Sequence, residues 1–445
     1  MISMIKIGMI SLGCPKNQVD AERMLATIDG NSFEIADCYD GVDAVIINTC
    51  GFIDAAKEEA IENILEMAEL KKEGTIGKII VTGCLAERYK QEIFDEMPEV
   101  DAVIGIGADG KIADVINRVI AGERVYEMPD KEELPLVGER LLTTPEYWAY
   151  LKIGDGCSNR CAYCAIPYIR GNYRSVPFET VIEEARQLAA AGIKEIILIA
   201  QDTTAYGLDL YGKLRLPELL NALCEIEGIE WIRMLYCYPD KITDELLEVM
   251  KNQPKVLHYI DLPLQHADDG ILKAMNRRGD SAFLREIIGK IRDAMPDAVI
   301  RTTMMVGFPG EDDEAFENLA EFVNEIEFDR LGCFAFSPQE GTPAFDMENQ
   351  VEEDVKCRRG EIIMQDQLEI VTLKNNERIG KTYRVLVEDY DAYSDSYSGR
   401  TYMDAPEIDG EIKFTTSKDY NPGEFTLVKV IGVNEYDLIG KDISE

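Results

Sequence analysis

Short apolar runs alternate with amphipathic stretches along most of the chain. Met4–Leu12, Val42–Asn48 (VDAVIIN) and Lys78–Thr82 (KIIVT) have strand length, and each is followed by a segment of helical periodicity. After Phe52, the residues Ile53, Ala56, Ala60, Ile64 and Ala68 recur at helical spacing with Lys and Glu between them. A repeated βα pattern predicts a parallel sheet, here through residue 121. Between Gly122 and Tyr147 no period is sustained and Pro, Glu, Asp and Thr accumulate, as in a linker. The alternation then resumes with strands predicted at Tyr150–Ile153, Glu195–Ala200, Trp231–Tyr236, Leu257–Leu262, Ala298–Val306 and Leu331–Phe336. Helices are predicted at Val181–Ala191, Pro217–Glu225, Asp244–Met250, Phe283–Ala294 and Glu314–Ile326. Six such units cannot close an eight-stranded barrel, so an open partial barrel is expected. From Asn376 the chain turns to short alternating strands (TYRVLVEDY, GEIKFTT, FTLVKVIGV) broken at Gly410 and Asn421-Pro422-Gly423, which predicts a small all-β module. The expected fold is α/β throughout the first two parts, with domains at 4–121, 143–373 and 376–445.

Composition narrows this picture in two ways. A chain of 445 residues with 46% hydrophobic and 29% charged positions is of ordinary globular type and long enough for two to four domains. No apolar run approaches the roughly 18 residues of a membrane span. The apolar N-terminus carries Lys6 and has no small-residue cleavage site before Cys14, so it is expected to be a strand, and the protein cytoplasmic. The net charge of −38 repels phosphate backbones and makes nucleic acid a poor main substrate. It suits a basic protein partner, or simply solubility.

Eleven cysteines stand against two histidines, so any metal site must be built mainly of thiolate, which favours zinc or iron–sulfur clusters. Cys157, Cys161 and Cys164 form a C-x3-C-x2-C loop directly after a predicted strand. Clusters usually take four cysteines, and no fourth follows nearby, which would leave one iron open to a small molecule; a three-thiolate zinc site or plain structural cysteines are the alternatives. A second set is dispersed. Cys14, Cys50 and Cys84 each end a predicted strand, in SLGC, INTC and VTGC, at intervals of 36 and 34 residues. Those intervals are one βα repeat each, and ligands of parallel sheets gather outside the carboxyl ends of strands. Flanking Gly13, Gly51 and Gly83 allow close approach of backbone to a bulky ligand. Cys38, Cys224, Cys237, Cys333 and Cys357 are expected to be ordinary core cysteines.

The cysteine loop, with Tyr163 before its last cysteine, resembles the radical S-adenosylmethionine (SAM) superfamily. The resemblance implies a [4Fe-4S] cluster whose open iron binds SAM, and reductive cleavage of SAM to a carbon radical. With the dispersed trio and the β-rich C-terminal module, the whole chain is similar to the radical-SAM methylthiotransferases, which have an N-terminal domain, a radical-SAM core and a TRAM module in this order. Two [4Fe-4S] clusters are then implied, one held by Cys157, Cys161 and Cys164, and an auxiliary one held by Cys14, Cys50 and Cys84. SLGCPKNQVDAE, DGCSNRCAYCAIPYIRGNYRS, LPLQHADDGILKAMNRRG and FSPQEGTPA resemble the RimO branch, which modifies an aspartate of ribosomal protein S twelve, more than the MiaB branch, which modifies tRNA adenosine. The implied reaction puts a methylthio group on the β-carbon of that aspartate, and it needs an electron donor and a sulfur donor. From Asn375 onward, eight Lys or Arg face fifteen Asp or Glu, which suits a basic ribosomal protein better than tRNA. SAM contacts are expected from Tyr163, from Gln201, which could contact substrate instead, and from Gly307 and Glu311 in the turn Val306–Glu311, for which an ordinary βα turn is the alternative. His266, Arg277 and Arg278 are candidates for steering an acidic side chain without a catalytic role. The competing readings are a tRNA methylthiotransferase and a non-catalytic iron–sulfur protein.

Overall fold

Strands rich in Ile and Val, buried on both faces, pair side by side in the N-terminal part of the computed structural model, which describes residues 4–28, 30, 32–132 and 137–444. They are β1 (Ile5–Ser11), β2 (Phe33–Ile35), β3 (Ala44–Thr49), β4 (Lys78–Gly83), β5 (Ala102–Ile104) and β6 (Val125–Glu127). All pair in parallel, in the order β2-β1-β3-β4-β5-β6. The helices Pro15–Ile28 and Ile112–Ile120 cover one face through Met24, Leu25, Ile28, Val115 and Ile116. The helix Asp54–Glu73 covers the other through Ala60, Ile64, Met67 and Ala68. Ile53 departs from the predicted apolar stripe: it precedes the helix and is 38% exposed. The stretch from Gly122 is also more than a linker, because β6 lies within it and extends the sheet. Of the remainder, residues 133–136 lie outside the described residues.

The second part begins with β7 (Trp148–Lys152). A short antiparallel clasp follows, between β8 (Gly154–Asp155) and β9 (Arg174–Ser175). Then come β10 (Glu195–Ile199), β11 (Trp231–Met234), β12 (Val256–Asp261), β13 (Val299–Val306) and β14 (Arg330–Ala335). The six strands β7 and β10–β14 run parallel in the order β14-β13-β12-β11-β10-β7, an open array as the six-unit count implies. One long helix, Glu353–Asn376, packs along β14 and covers that open edge.

The C-terminal strands β15 (Thr382–Asp391), β16 (Ser396–Arg400), β17 (Ile412–Thr415), β18 (Phe425–Asn434) and β19 (Asp437–Asp442) form a closed barrel, which leaves no free sheet edge. The segment after β16 fills the amino-terminal mouth of the partial barrel. There Arg233 donates to the Tyr402 carbonyl (2.9 Å), Arg330 pairs with Asp404 (2.5 Å), and Tyr259 donates to Asp409 (2.6 Å). The opposite, carboxyl-terminal mouth is left to face the N-terminal sheet.

Candidate functional site

Sheet order explains how three cysteines spread over the first 84 positions meet. Strands β1, β3 and β4 are immediate neighbours in register (Ile10 opposite Ile47, Ile47 opposite Val81), so their carboxyl ends lie side by side. Cys14 follows β1 after two residues, Cys50 follows β3 directly, and Cys84 opens the helix Cys84–Tyr89 after β4. The glycines set the spacing. Gly13 sits at φ +94°, and a Cβ there would stand 2.7 Å from the Cys50 Cβ and 2.9 Å from its Sγ. A Cβ at Gly51 would stand 2.8 Å from the Leu85 Cα, against the start of the Cys84 helix. Asn17 locks the same loops by donating to the Leu12 carbonyl (2.6 Å), while Asn48 donates to the Asn17 carbonyl (2.8 Å).

Cys157, Cys161 and Cys164 lie on the loop after β8 at the carboxyl-terminal mouth. Gly156 at φ +74° lets this loop pass against residue 172, where a Cβ would stand 2.2 Å from the Asn172 carbonyl oxygen. The loop is pinned from the far side of the array, with Ala162 N–H donating to the Met275 carbonyl (2.9 Å) and its own carbonyl accepting from Ala344 N–H (2.9 Å).

One cavity of about 380 Å³ is lined by all six cysteines, a volume in the range of small-molecule sites. Phe52, Ile53, Ala56 and Ile166 supply apolar wall, and Lys16, Tyr163, Arg170, Gln201, Tyr236 and Arg277 supply polar groups. Among the described residues, no three Cys, His, Asp or Glu side chains are gathered closely enough for a single metal ion. Burial pushes the thiols up, Cys84 to about 12 and Cys157 to about 11, with Cys50 and Cys164 also raised. Cys14 is the exception: burial raises it, but the charges of Lys16 and Arg170 and backbone N–H donors outweigh that and leave it below its ordinary value. Protonated thiols of this kind become ligands when metal displaces the proton.

Arg170 joins the two sets. It is 1% exposed, donates to Asp20 (2.9 Å), Asp155 (3.2 Å) and Asn17 (3.3 Å), and reaches the Cys84 sulfur at 3.6 Å. Lys152 pairs with the same two carboxylates at 2.7 and 2.9 Å, so two buried cations balance two buried anions. Burial raises the Asp155 carboxyl, but Lys152 and Arg170 outweigh this and hold it far below the usual carboxylate range.

Other residues singled out in the sequence are divided by the structure. Tyr163 and Gln201 line the cavity; Gln201 donates to Asp155 (3.1 Å). Gly307 and Glu311 do not line it. Glu311 is enclosed by Arg359 (2.8 Å), His266 (3.1 Å) and the Gly307 N–H (2.9 Å), and the positive φ of Gly307 serves close packing of Lys356. His266 is fully buried, accepting at Nδ1 from Asp268 N–H (3.0 Å), which leaves Nε2 to donate to Glu311. Arg278 pairs with Asp240 at the surface (2.9 Å), whereas Arg277 lines the cavity, lies 4.0 Å over the Tyr238 ring and reaches the Cys161 sulfur at 3.8 Å. Two of the expected core cysteines, Cys38 and Cys357, are exposed; single cysteines without a spacing pattern carry no burial signal. Lys16, Asn17, Asp20, Arg170 and Tyr236 escaped sequence reasoning because each acquires its role from a partner on another domain or loop.

The Radical SAM superfamily matches residues 151–323, the TRAM domain matches 379–443, and the uncharacterized protein family UPF0004 matches 6–105. A ribosomal protein uS12 methylthiotransferase RimO of Acetivibrio thermocellus is 50% identical over 99% of both chains. One of Lachnoclostridium phytofermentans is 48% identical over 98% of this chain and 99% of its own. Among solved structures, the radical S-adenosylmethionine methyltransferase TsrM from Kitasatospora setae, with cobalamin and a [4Fe-4S] cluster bound, aligns with a TM-score of 0.58 at 12% identity, over 77% of each chain. The cobalamin-dependent S-adenosylmethionine radical enzyme OxsB aligns at 0.53 and 14% identity, over 82% of this chain and 56% of its own. At such identities these two share the fold.

Proposed function

The chain belongs to the RimO family of radical-SAM methylthiotransferases, enzymes that use SAM and [4Fe-4S] clusters, and from that premise we propose how its own residues divide the work. Cys157, Cys161 and Cys164 hold the SAM-binding cluster, and Cys14, Cys50 and Cys84 hold the auxiliary one. The substrate is ribosomal protein uS12, modified at the β-carbon of an aspartate. The observation that carries this reading is that six cysteines from two domains line a single cavity, at which two parallel sheets present the carboxyl ends of their strands.

When bound, SAM would supply the methyl group and the radical, and the two clusters would pass on the electron and present the sulfur that come from external donors. The chain supplies placement. Gly13 and Gly51 allow the trio to close on one group, and Arg170 fixes the N-terminal sheet against the cysteine loop. Phe52, Ala56 and Ile166 give the cavity an apolar wall that disfavours water. Tyr163 and Gln201 line the cavity, which supports their reading as SAM contacts. The acidic C-terminal module and the chain's charge of −38 support a basic protein substrate. A soluble electron donor and a sulfur donor complete the reaction. No described helix is long and apolar enough to cross a membrane, and a ribosomal substrate supports action in the cytoplasm.

The test is direct. Anaerobically reconstituted enzyme is incubated with SAM, sulfide and reductant, and with either recombinant uS12 or unmodified tRNA, followed by mass spectrometry of both. A methylthio mass gain on one aspartate of uS12 is expected. The same gain on tRNA adenosine instead would refute the assignment, and failure to cleave SAM would favour a non-catalytic iron–sulfur protein.

A further inference from the structure

Lys16 is a buried cation of the cavity whose N–H donors meet no hydrogen-bond acceptor among the described residues. It is 6% exposed and lines the cavity. Its Nζ lies 3.1 Å from the centre of the Tyr236 ring, and among the described residues it makes neither an ion pair nor a side-chain hydrogen bond. The other cations there are already engaged. Arg170 is balanced by Asp20 and Asp155, and Arg277 donates to the Pro263 carbonyl (2.5 Å) and stacks on Tyr238. Asp261, near Lys16, is occupied by Arg301 (2.9 Å) and by the Tyr236 N–H (2.8 Å).

The ring beneath the ammonium is held deliberately. Tyr236 has φ +61°, a left-handed backbone that a bulky residue adopts only under constraint. The constraint is visible: its N–H donates to Asp261, and its carbonyl accepts from Thr203 N–H (2.9 Å). An aromatic face partly replaces water around a cation but leaves its N–H donors directed outward. Lys16 lies two residues after Cys14 and against Tyr236, just past the end of β11 on the opposite domain. Cys14 is the charge that acts on Lys16 most strongly, yet no hydrogen bond or ion pair joins the two among the described residues, so the ammonium's N–H donors are open to an incoming anion.

We propose that Lys16, supported by the Tyr236 ring, binds the side-chain carboxylate of the target aspartate and selects Asp over its amide. This rests on the reading of uS12 as substrate. A carboxylate held there would leave its adjacent β-carbon inside the cavity between the two cysteine sets. The other carboxylate available, that of the methionine part of SAM, is separated from it by the experiment.

Cluster-loaded enzyme is prepared as wild type, Lys16→Met, Lys16→Gln and Lys16→Arg. Equilibrium binding is measured without reductant, so that nothing turns over, to recombinant uS12 with its modified residue as Asp or replaced by Asn. Wild type should prefer the Asp form by roughly 10- to 100-fold, the worth of one buried charge-assisted hydrogen bond. Lys16→Met and Lys16→Gln should bring the ratio to about one, and Lys16→Arg should keep most of it. Persistence of the preference in either neutral variant overturns the proposal. So does a fall in SAM affinity with the preference intact, which would put Lys16 on the methionine carboxylate. Loss of the trio's iron in both neutral variants would assign the charge to the cluster and also overturn it. A wild type that binds and modifies uS12 without preferring Asp defeats this inference alone, whereas one that neither binds nor modifies uS12 defeats the substrate reading with it.

Discussion

Arg170 shows how much of the site depends on single side chains whose meaning is set at a distance. Its guanidinium touches two carboxylates, an asparagine and a cysteine sulfur contributed by helices of the N-terminal domain and by β8. Replacing it with Met leaves Asp20 and Asp155 with one cation instead of two. Breaking a buried pair in this way costs about 3–5 kcal/mol. Arg170→Met should therefore lose that much stability in chemical denaturation, and Arg170→Lys should recover the charge but only part of the loss, because one ammonium cannot reach all four partners. An unchanged denaturation midpoint in Arg170→Met would show that the four-charge group does not hold the domains together. The six cysteines were legible in the sequence because repeated spacing is visible without a structure. The roles of Arg170, Lys16 and Tyr236 were not: the first two stand inside segments that carry the resemblance, but no local pattern says which partner each meets in the fold.

Among elements, the convergence of the trio depends on glycine at the strand ends. A Cβ at Gly51 would press 2.8 Å from the Leu85 Cα, and backbone cannot yield as a flexible side chain can. Gly51→Ala should separate the Cys50 loop from the Cys84 helix, lowering iron held by the trio while leaving the C-x3-C-x2-C loop loaded. Iron and sulfide analysis of the reconstituted variant checks this, and full loading would show that the close packing is not needed. The long strands and amphipathic helices of the first two parts were legible to within a few residues. Strands β2, β5 and β6 were missed because three residues each are too few to show a period. The helix Glu353–Asn376 was missed because its buried face carries Lys356, Arg359, Gln367 and Asn375, which interrupt the apolar stripe.

For the whole molecule, the three parts are joined at opposite mouths of the partial barrel, chemistry at one and the closed barrel at the other. Glu195 at the barrel-side mouth is fully buried between Arg233 (2.7 Å) and Arg400 (2.8 Å), one from the core and one from β16. Burial raises its carboxyl, but Arg400 and Arg233 outweigh this and hold it below the ordinary value. A depressed carboxylate contributes stability that is complete above the unfolded value, about 4.3 for Glu, and lost as pH falls toward the folded one. The stability difference between wild type and Glu195→Gln should therefore be constant above about pH 5 and shrink below about pH 4. A difference that grew on acidification would contradict this sign. At this scale the order of domains was legible, but their mutual placement was not, since it rests on ion pairs between segments far apart in the chain.

In the proposed arrangement, six thiolates hold two clusters that share one cavity. Iron and sulfide counts, with electron paramagnetic resonance, on anaerobically reconstituted Cys14→Ala/Cys50→Ala/Cys84→Ala and Cys157→Ala/Cys161→Ala/Cys164→Ala enzymes test it most directly. Each triple variant should retain one [4Fe-4S] cluster, with a distinct spectrum, and only the first should still cleave SAM. A Cys14/Cys50/Cys84 variant with the wild-type content of iron would contradict the claim.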